Sequence, residues 1–159
     1  MTIKQKGIQA ELKQTKPFKT PADEAFVSLQ RTADIMMRKI TQFLKPWGIS
    51  PTQYNVLRIL RGAGPEGLCC GEVSDRMITH DPDITRLLDR IERLGWIERA
   101  RSTKDRRVVV ARISKKGLEL LKEIDKPIED FNREASSHLS DKKLRELIGL
   151  LNEVRSGPA

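Results

Sequence analysis

The feature that most constrains the fold is a change of hydrophobic period at Gly95. Before it, apolar residues recur at helical spacing, at Ile84, Leu87, Leu88, Ile91 and Leu94. After it, residues 96–101 and 108–113 have the composition of two strands, and the polar segment 102–106 between them predicts a β-hairpin. A helix that leads directly into a hairpin indicates a winged helix-turn-helix.

The segments before this helix fit the same arrangement. Ser50 and Pro51 have the N-cap and first-turn signals of a helix that we expect to end at Gly62. A short extended piece at residues 68–69 and a brief helix over about 71–78 come next. The pair Asp81-Pro82 then repeats the start signal for a helix running to Leu94, closed by Gly95.

This last helix has two different faces. The apolar residues named above form one face, which we expect to be buried. The opposite side presents Pro82, Arg86, Asp89 and Arg93, with Thr85 and Arg90 flanking. A recognition helix in the major groove needs this division, because its exposed side chains meet base edges and phosphates.

Positive charge is concentrated in the same part of the chain. The whole chain has a formal charge of +8, and residues 86–116 alone contain eleven Lys or Arg against four acids. Residues 1–21 contain five Lys and one Glu. Such a distribution is typical of a nucleic-acid footprint.

The hairpin tip is cationic as well, with Lys104, Arg106 and Arg107 around Asp105. An arginine at the end of such an arm suits the narrow minor groove of A·T-rich DNA, where the negative potential is deepened. Phosphates would repel Asp105. We therefore interpret it as an orienter that pairs with an arginine side chain.

Long apolar stripes lie on either side of this region. Seven residues from Phe26 to Trp47 are spaced alternately by three and four, which predicts a packing seam on a helix over about residues 21–45. Beyond the hairpin, we expect a long helix from Lys115, bent at Pro127, and a final helix capped by Ser140-Asp141. We infer four parts: a flexible basic arm (1–21), an N-terminal dimerisation helix (22–49), a winged helix-turn-helix (50–114) and C-terminal dimerisation helices (115–159). The fold class is mainly α with a small β-hairpin wing (α+β).

Several other classes of protein are disfavoured. No apolar run is long enough to span a membrane, and the N-terminus lacks the apolar region of a signal peptide, so we expect a cytoplasmic protein. Phosphate-binding glycine loops and nucleophile motifs are absent from the sequence, and we expect no enzyme activity and no cofactor. Cys69, Cys70 and His80 match no zinc-ligand spacing, so we expect no metal site.

The residues around the hairpin resemble those of the MarR family of regulators. The run from Asp81 to Arg99 resembles the family's recognition helix and first wing strand, and Asp105-Arg106-Arg107 matches its wing motif of an Asp and an Arg separated by one residue. The segments 114–117 and 50–54 are similar to the starts of two further helices of the family. The resemblance covers about residues 22–155.

This resemblance implies a homodimer that binds a pseudo-palindromic operator in double-stranded DNA as a transcriptional regulator, which we expect to be a repressor. It also implies a small aromatic, phenolic or otherwise lipophilic effector between the two lobes. Thr85 and Arg86 would contact DNA from the helix, and Arg107 would enter the minor groove. The full set of candidate DNA contacts is Thr79, His80, Pro82, Asp83, Thr85, Arg86, Arg90, Asp105, Arg106 and Arg107. The candidate effector residues, at the junction of the first two helices, are Met37, Thr41, Trp47 and Tyr54.

Two alternatives remain open from the sequence. A winged-helix module can bind protein or RNA instead of operator DNA. The second alternative is a cysteine-based redox sensor. The family's peroxide-sensing branch uses a cysteine near the N-terminus, however, and residues 1–68 contain none. We therefore interpret Cys69 and Cys70 as small packed residues.

Overall fold

A computed structural model of the chain describes residues 7–102 and 105–157. The helices are α1 (Ile8–Glu11), α2 (Pro21–Leu44), α3 (Pro51–Ala63), α4 (Cys70–Arg76), α5 (Ile84–Arg93), α6 (Lys115–Ser136) and α7 (Asp141–Ser156). The strands are β1 (Leu68–Cys69), β2 (Ile97–Arg101) and β3 (Val109–Ile113). The mainly helical fold with a small hairpin is confirmed.

The helix starts follow the capping signals of the sequence in two of the three places where they were predicted, at Ser50 and Ser140. The Ser50 hydroxyl accepts a hydrogen bond from the Gln53 N–H, and the Gln53 side-chain oxygen accepts one from the Ser50 N–H. Ser140 caps α7 by a single hydrogen bond from the Lys143 N–H, and Ser114, which was not predicted as a cap, accepts one from the Gly117 N–H at the start of α6. Each bond satisfies a backbone N–H that the first helical turn leaves without a partner.

The recognition helix is the third place, and here the prediction was wrong by two residues. α5 begins at Ile84, and its N-cap is Asp83, whose carboxylate accepts from the Arg86 N–H. Asp81 instead accepts from the Asp83 N–H at 2.8 Å, which makes residues 81–83 a turn before the helix. Pro82 therefore precedes α5. The helix before it also differs, since α4 ends at Arg76 and leaves Ile78 outside.

The sheet is antiparallel in the order β1-β3-β2. Strands β2 and β3 form the hairpin, with Ile97 opposite Ile113 and Arg101 opposite Val109. The two-residue strand β1 pairs with the other edge of β3, Leu68 opposite Ala111. The hairpin is thus fixed at its base, and its tip extends beyond the paired residues.

One apolar core joins the winged region to the helices on either side. Its fully buried members come from α2, α3, α4, α5, β2 and α6: Leu44, Val56, Leu57, Leu60, Val73, Leu88, Ile91, Ile97, Leu121 and Ile124. Gly117 is required where α6 leaves the hairpin, because a Cβ there would collide with the Trp96 carbonyl oxygen. α6 then continues without interruption past Pro127 to Ser136. Arg61 of α3 and Asp125 of α6 form a two-pronged ion pair at 2.8 and 2.9 Å.

The terminal segments lie outside this core. α1 is a four-residue helix within the stretch predicted as a flexible basic arm. α7 has no buried residue. Of the helices in the described ranges, none combines the length and apolar content required to cross a membrane.

Candidate nucleic-acid interface

α5 is held in place by its apolar face. Leu87, Leu88 and Ile91 are buried in the core, as the sequence predicted, and Ile84 is half-buried. Leu94 was expected on the same face but lies 41% exposed, because the helix ends at Arg93. Burial of three large aliphatic side chains therefore fixes which side of α5 faces solvent.

The solvent side of α5 is a row of cations. Thr85, Arg86, Arg90 and Arg93 are all exposed. Together with Asp83, the three arginines line a shallow depression of about 320 Å³. Asp83 forms an ion pair with Arg86 at 3.1 Å, but the Arg86 side chain is 82% exposed. Such an exposed pair is weak and can exchange for a phosphate. Chemically, this face can bind an extended polyanion.

Thr79 and His80 lie exposed in the segment that leads into α5, and Pro82 and Asp83 follow at the helix entrance. The segment is attached to α3 by the Ile78 N–H, which donates to the Asn55 side-chain oxygen at 2.9 Å. All seven candidate residues between 79 and 90 are thus exposed, on α5 or in the segment that leads into it.

The other end of α5 is fixed by the chain that follows the hairpin. Lys116 donates to the Leu94 carbonyl oxygen at 2.8 Å, and the buried Ser114 hydroxyl donates to the Gly95 carbonyl oxygen at 2.7 Å. Gly95 adopts a φ of +76°, a conformation that favours glycine. An ammonium group also suits the negative end of the helix dipole.

The hairpin tip presents Arg106 and Arg107, both exposed. Lys104, predicted beside them, lies outside the described residues. Asp105 Oδ1 accepts a hydrogen bond from the backbone N–H of Arg107 at 2.9 Å. The predicted pairing was with an arginine side chain, so the structure corrects the partner group. Asp105 fixes the backbone turn from which the Arg107 side chain extends.

Arg99 was not predicted as a residue of the site. It was counted among the basic residues of the central segment, but its guanidinium contacts Asp89 and Glu92 of α5. The hydrogen bond with Glu92, followed by that with Asp89, raises the pKa of Arg99. No spacing in the sequence signals this contact, because it depends on how β2 packs beside α5. Asp89 was predicted on the DNA-facing side, but it is half-buried against Arg99.

A separate cavity of about 920 Å³ lies between α2, α3, α6 and the segment before α5. Of the four candidate effector residues, Met37 and Tyr54 line it, whereas Thr41 and Trp47 do not. The Thr41 hydroxyl instead bonds to the Met37 carbonyl oxygen, and Trp47 packs against Phe43 at 5.4 Å between ring centroids. The other lining residues are mostly apolar, and Arg58 adds a guanidinium 5.9 Å from the centre of the Tyr54 ring.

Cys69 and Cys70 are half-buried free thiols on β1 and at the start of α4. The Cys69 N–H donates to the Glu72 carboxylate at 2.9 Å and lowers the pKa of Glu72. Among the described residues, no group of three or more His, Cys, Asp or Glu side chains is arranged to hold a metal ion.

The model of the MarR family matches residues 49–109, the region that contains α3 to the start of β3. Among curated relatives, the uncharacterized HTH-type transcriptional regulator YkoM of Bacillus subtilis is 34% identical over 111 residues. That match covers 69% of this chain and 70% of YkoM.

Solved structures of MarR proteins are also similar to this chain. A MarR transcription factor from Planctomyces limnophilus is 36% identical, and the match covers 86% of this chain and 98% of that one, with a TM-score of 0.64. A MarR variant from E. coli complexed with operator DNA has a TM-score of 0.72 at 24% identity, covering 80% of this chain and 91% of that one. The second likeness is one of fold.

Proposed function

Because the chain belongs to the MarR family of transcriptional regulators, we propose that it binds a pseudo-palindromic operator in double-stranded DNA as a homodimer and represses transcription in the cytoplasm. In this proposal α5 enters the major groove and the hairpin, here called the wing, contacts the adjacent minor groove. No reaction is catalysed.

The observation that carries the proposal is the cationic row on α5. Arg86, Arg90 and Arg93 project from a helix whose opposite face is buried, so they meet any ligand together. Thr85 and Arg86, near the N-terminal end, are suited to base edges. Arg90 and Arg93 are suited to phosphates. The exposed Arg106 and Arg107 extend the same positive surface onto the wing.

The homodimer is supported by the apolar side chains of the terminal helices. Phe26 and Met36 on α2 are 64% and 50% exposed, and Ile148, Leu150 and Val154 on α7 are each more than half exposed. Apolar area of this extent on a single chain is typical of an interface. A second copy of this chain would cover it and set two α5 helices about one DNA turn apart.

The operator proposal is tested by selecting bound sequences from a random duplex pool. We expect two half-sites about 10 bp apart, centre to centre, and a steep fall of affinity with salt. An RNA hairpin serves as the competing ligand. Equal affinity for every duplex, a flat salt response or preference for the RNA would contradict the proposal.

The dimer is tested with Leu150→Glu on α7 and the matched variant Asn152→Glu, which adds the same charge at an exposed polar position two residues away. We expect sedimentation equilibrium to give a dimer for the wild type and Asn152→Glu, and dissociation for Leu150→Glu. A folded wild-type monomer at micromolar concentration would contradict the homodimer.

An effector is the remaining part of the proposal. The cavity is at the upper end of the volume range of ligand sites, is lined mainly by apolar side chains and contains one arginine, which suits a small aromatic or lipophilic compound. Candidate aromatic acids should cause the protein to release operator DNA. Ala135→Leu, which places three more carbon atoms in the cavity, should weaken this release, whereas Thr41→Leu, outside the lining, should not. Undiminished release in Ala135→Leu would place the effector elsewhere.

A further inference from the structure

Arg99 belongs to the wing, on β2, but its side chain turns back onto α5. Its Nε donates to Glu92 at 2.9 Å, and one Nη donates to Asp89 at 2.5 Å. Its backbone N–H donates to the other oxygen of Glu92 at 3.1 Å. A single residue of the wing therefore holds two carboxylates of the recognition helix through three hydrogen bonds.

The burial of this group distinguishes it from the other arginines of the region. The Arg99 side chain is 22% exposed, compared with 82% for Arg86. Charge-assisted hydrogen bonds from a planar guanidinium to two partners also fix geometry, which a single exposed ion pair does not. Arg99 is consequently held against α5 instead of being available to a phosphate.

The contact connects the two elements that are proposed to meet DNA. Between the end of α5 and the start of β2 the chain runs for only three residues, and the sheet holds the wing from its far side through β1 and β3. The Arg99 contacts are the direct side-chain bonds between α5 and β2 in the described residues. They also neutralise Asp89 and Glu92, which share α5 with Arg90 and Arg93 and would otherwise repel phosphates.

We propose that Arg99 is a positioning and specificity-determining residue that holds the wing at a fixed position on α5, so that both reach their grooves on the same half-site. This inference rests on the proposed function. It predicts that Arg99 controls discrimination between operator and other DNA, whereas Arg90 and Arg93, which are proposed to meet phosphates, control affinity for any DNA.

The test compares the triple variant Arg99→Met, Asp89→Asn, Glu92→Gln with the matched variant Arg93→Met. The triple variant removes the guanidinium contacts and leaves no uncompensated carboxylate, and it makes the chain one unit more positive. Simple electrostatics therefore predicts tighter binding. Affinities for the selected operator, a scrambled duplex and an operator with G·C pairs in the flank that the wing is proposed to enter are measured at fixed salt.

We expect the operator-to-scrambled affinity ratio of the triple variant to fall about tenfold, with unchanged or tighter binding to the scrambled duplex. The penalty for G·C pairs in the flank should shrink too, because the wing no longer reaches it in register. Arg93→Met should weaken operator and scrambled binding alike and keep their ratio. A wild-type ratio and flank penalty in the triple variant would overturn the inference.

Two further measurements keep the test decisive. Circular dichroism and sedimentation report whether the triple variant is folded and assembled as the wild type is. If the triple variant is not folded and assembled, the same affinities are measured for Arg99→Lys. Lysine keeps the charge but cannot hold both carboxylates in the same geometry. An unchanged ratio in Arg99→Lys would then overturn the inference. A wild type without operator preference would instead refute the proposed function.

Discussion

The winged region and the terminal helices use their apolar residues in opposite ways. In α3, α4, α5 and the sheet, most of the large aliphatic side chains are buried within the same chain, and Leu57, Leu60, Leu88 and Ile91 are fully inaccessible. On α7 no residue is buried, and Leu150 is 60% exposed. The winged region is thus buried in a core that it shares with α2 and α6, whereas the apolar side chains of α7 are only partly covered within the chain. Stability and assembly should therefore respond to different substitutions.

The largest effect is expected when the same substitution is made in both regions. Leu88→Ala should lower the free energy of unfolding by about 2–5 kcal/mol, because it leaves a cavity in a packed core. Leu150→Ala should cost little intrinsic stability and instead raise the dimer dissociation constant. Denaturant unfolding and sedimentation equilibrium measure the two quantities. If Leu150→Ala lowered stability as much as Leu88→Ala without affecting assembly, the comparison would be wrong.

A smaller effect is expected from the wing, where binding can be lost without loss of assembly. Arg107→Ala should weaken operator binding by about 1–3 kcal/mol per wing, and by twice that in a dimer whose wings act independently. Lys122→Ala, an exposed cation on α6, is the matched control. Fluorescence anisotropy at fixed salt gives the affinities. Equal losses of operator affinity in the two variants would show that Arg107 contributes only through its charge.

Asp105 gives a smaller change whose sign is informative. Its carboxylate accepts from the Arg107 N–H, so Asp105→Ala should weaken binding although it removes a negative charge. Asp105→Asn keeps an acceptor oxygen and loses the charge, and should bind at least as tightly as the wild type. Titration of both variants against one operator at fixed salt separates the roles. Wild-type or tighter binding by Asp105→Ala would refute the orienting role.

No effect is expected at the two half-buried cysteines of β1 and α4. Cys69→Ser combined with Cys70→Ser should leave operator affinity unchanged, and mild peroxide should not release either protein from DNA. Adjacent cysteines form a disulfide only with a strained backbone. Release of the wild type alone on oxidation would show that these cysteines are sensors.

The local capping and periodicity signals predicted most elements, because they depend on bonds within one or two helical turns. The start of α5 was misplaced since Asp81 and Asp83 both satisfy the sequence rule for an N-cap. Which of them caps the helix is decided by where the buried Leu87, Leu88 and Ile91 seat α5 on the core. The rule identifies candidates, and packing selects between them.

The candidate site was predictable to the extent that exposure follows from periodicity. Arg86, Arg90 and Arg93 were placed on the solvent side by the burial of the opposite face. Arg99 was not, because strand alternation does not reveal which long side chain folds back onto a neighbouring helix. Likewise, Thr41 and Met37 share α2, but only contact with α3 and α6 determined which of them lines the cavity.

The sequence by itself determined the order of helices and strands, the basic character of the central segment and the two faces of α5. These properties arise from the spacing of residue types along the chain, which fixes what each element can bury. Tertiary structure decided which charged groups remain available: Arg86 is left to solvent, whereas Arg99 is held by Asp89 and Glu92. The reason is that an ion pair between elements depends on a three-dimensional distance of a few ångströms, which no local pattern encodes.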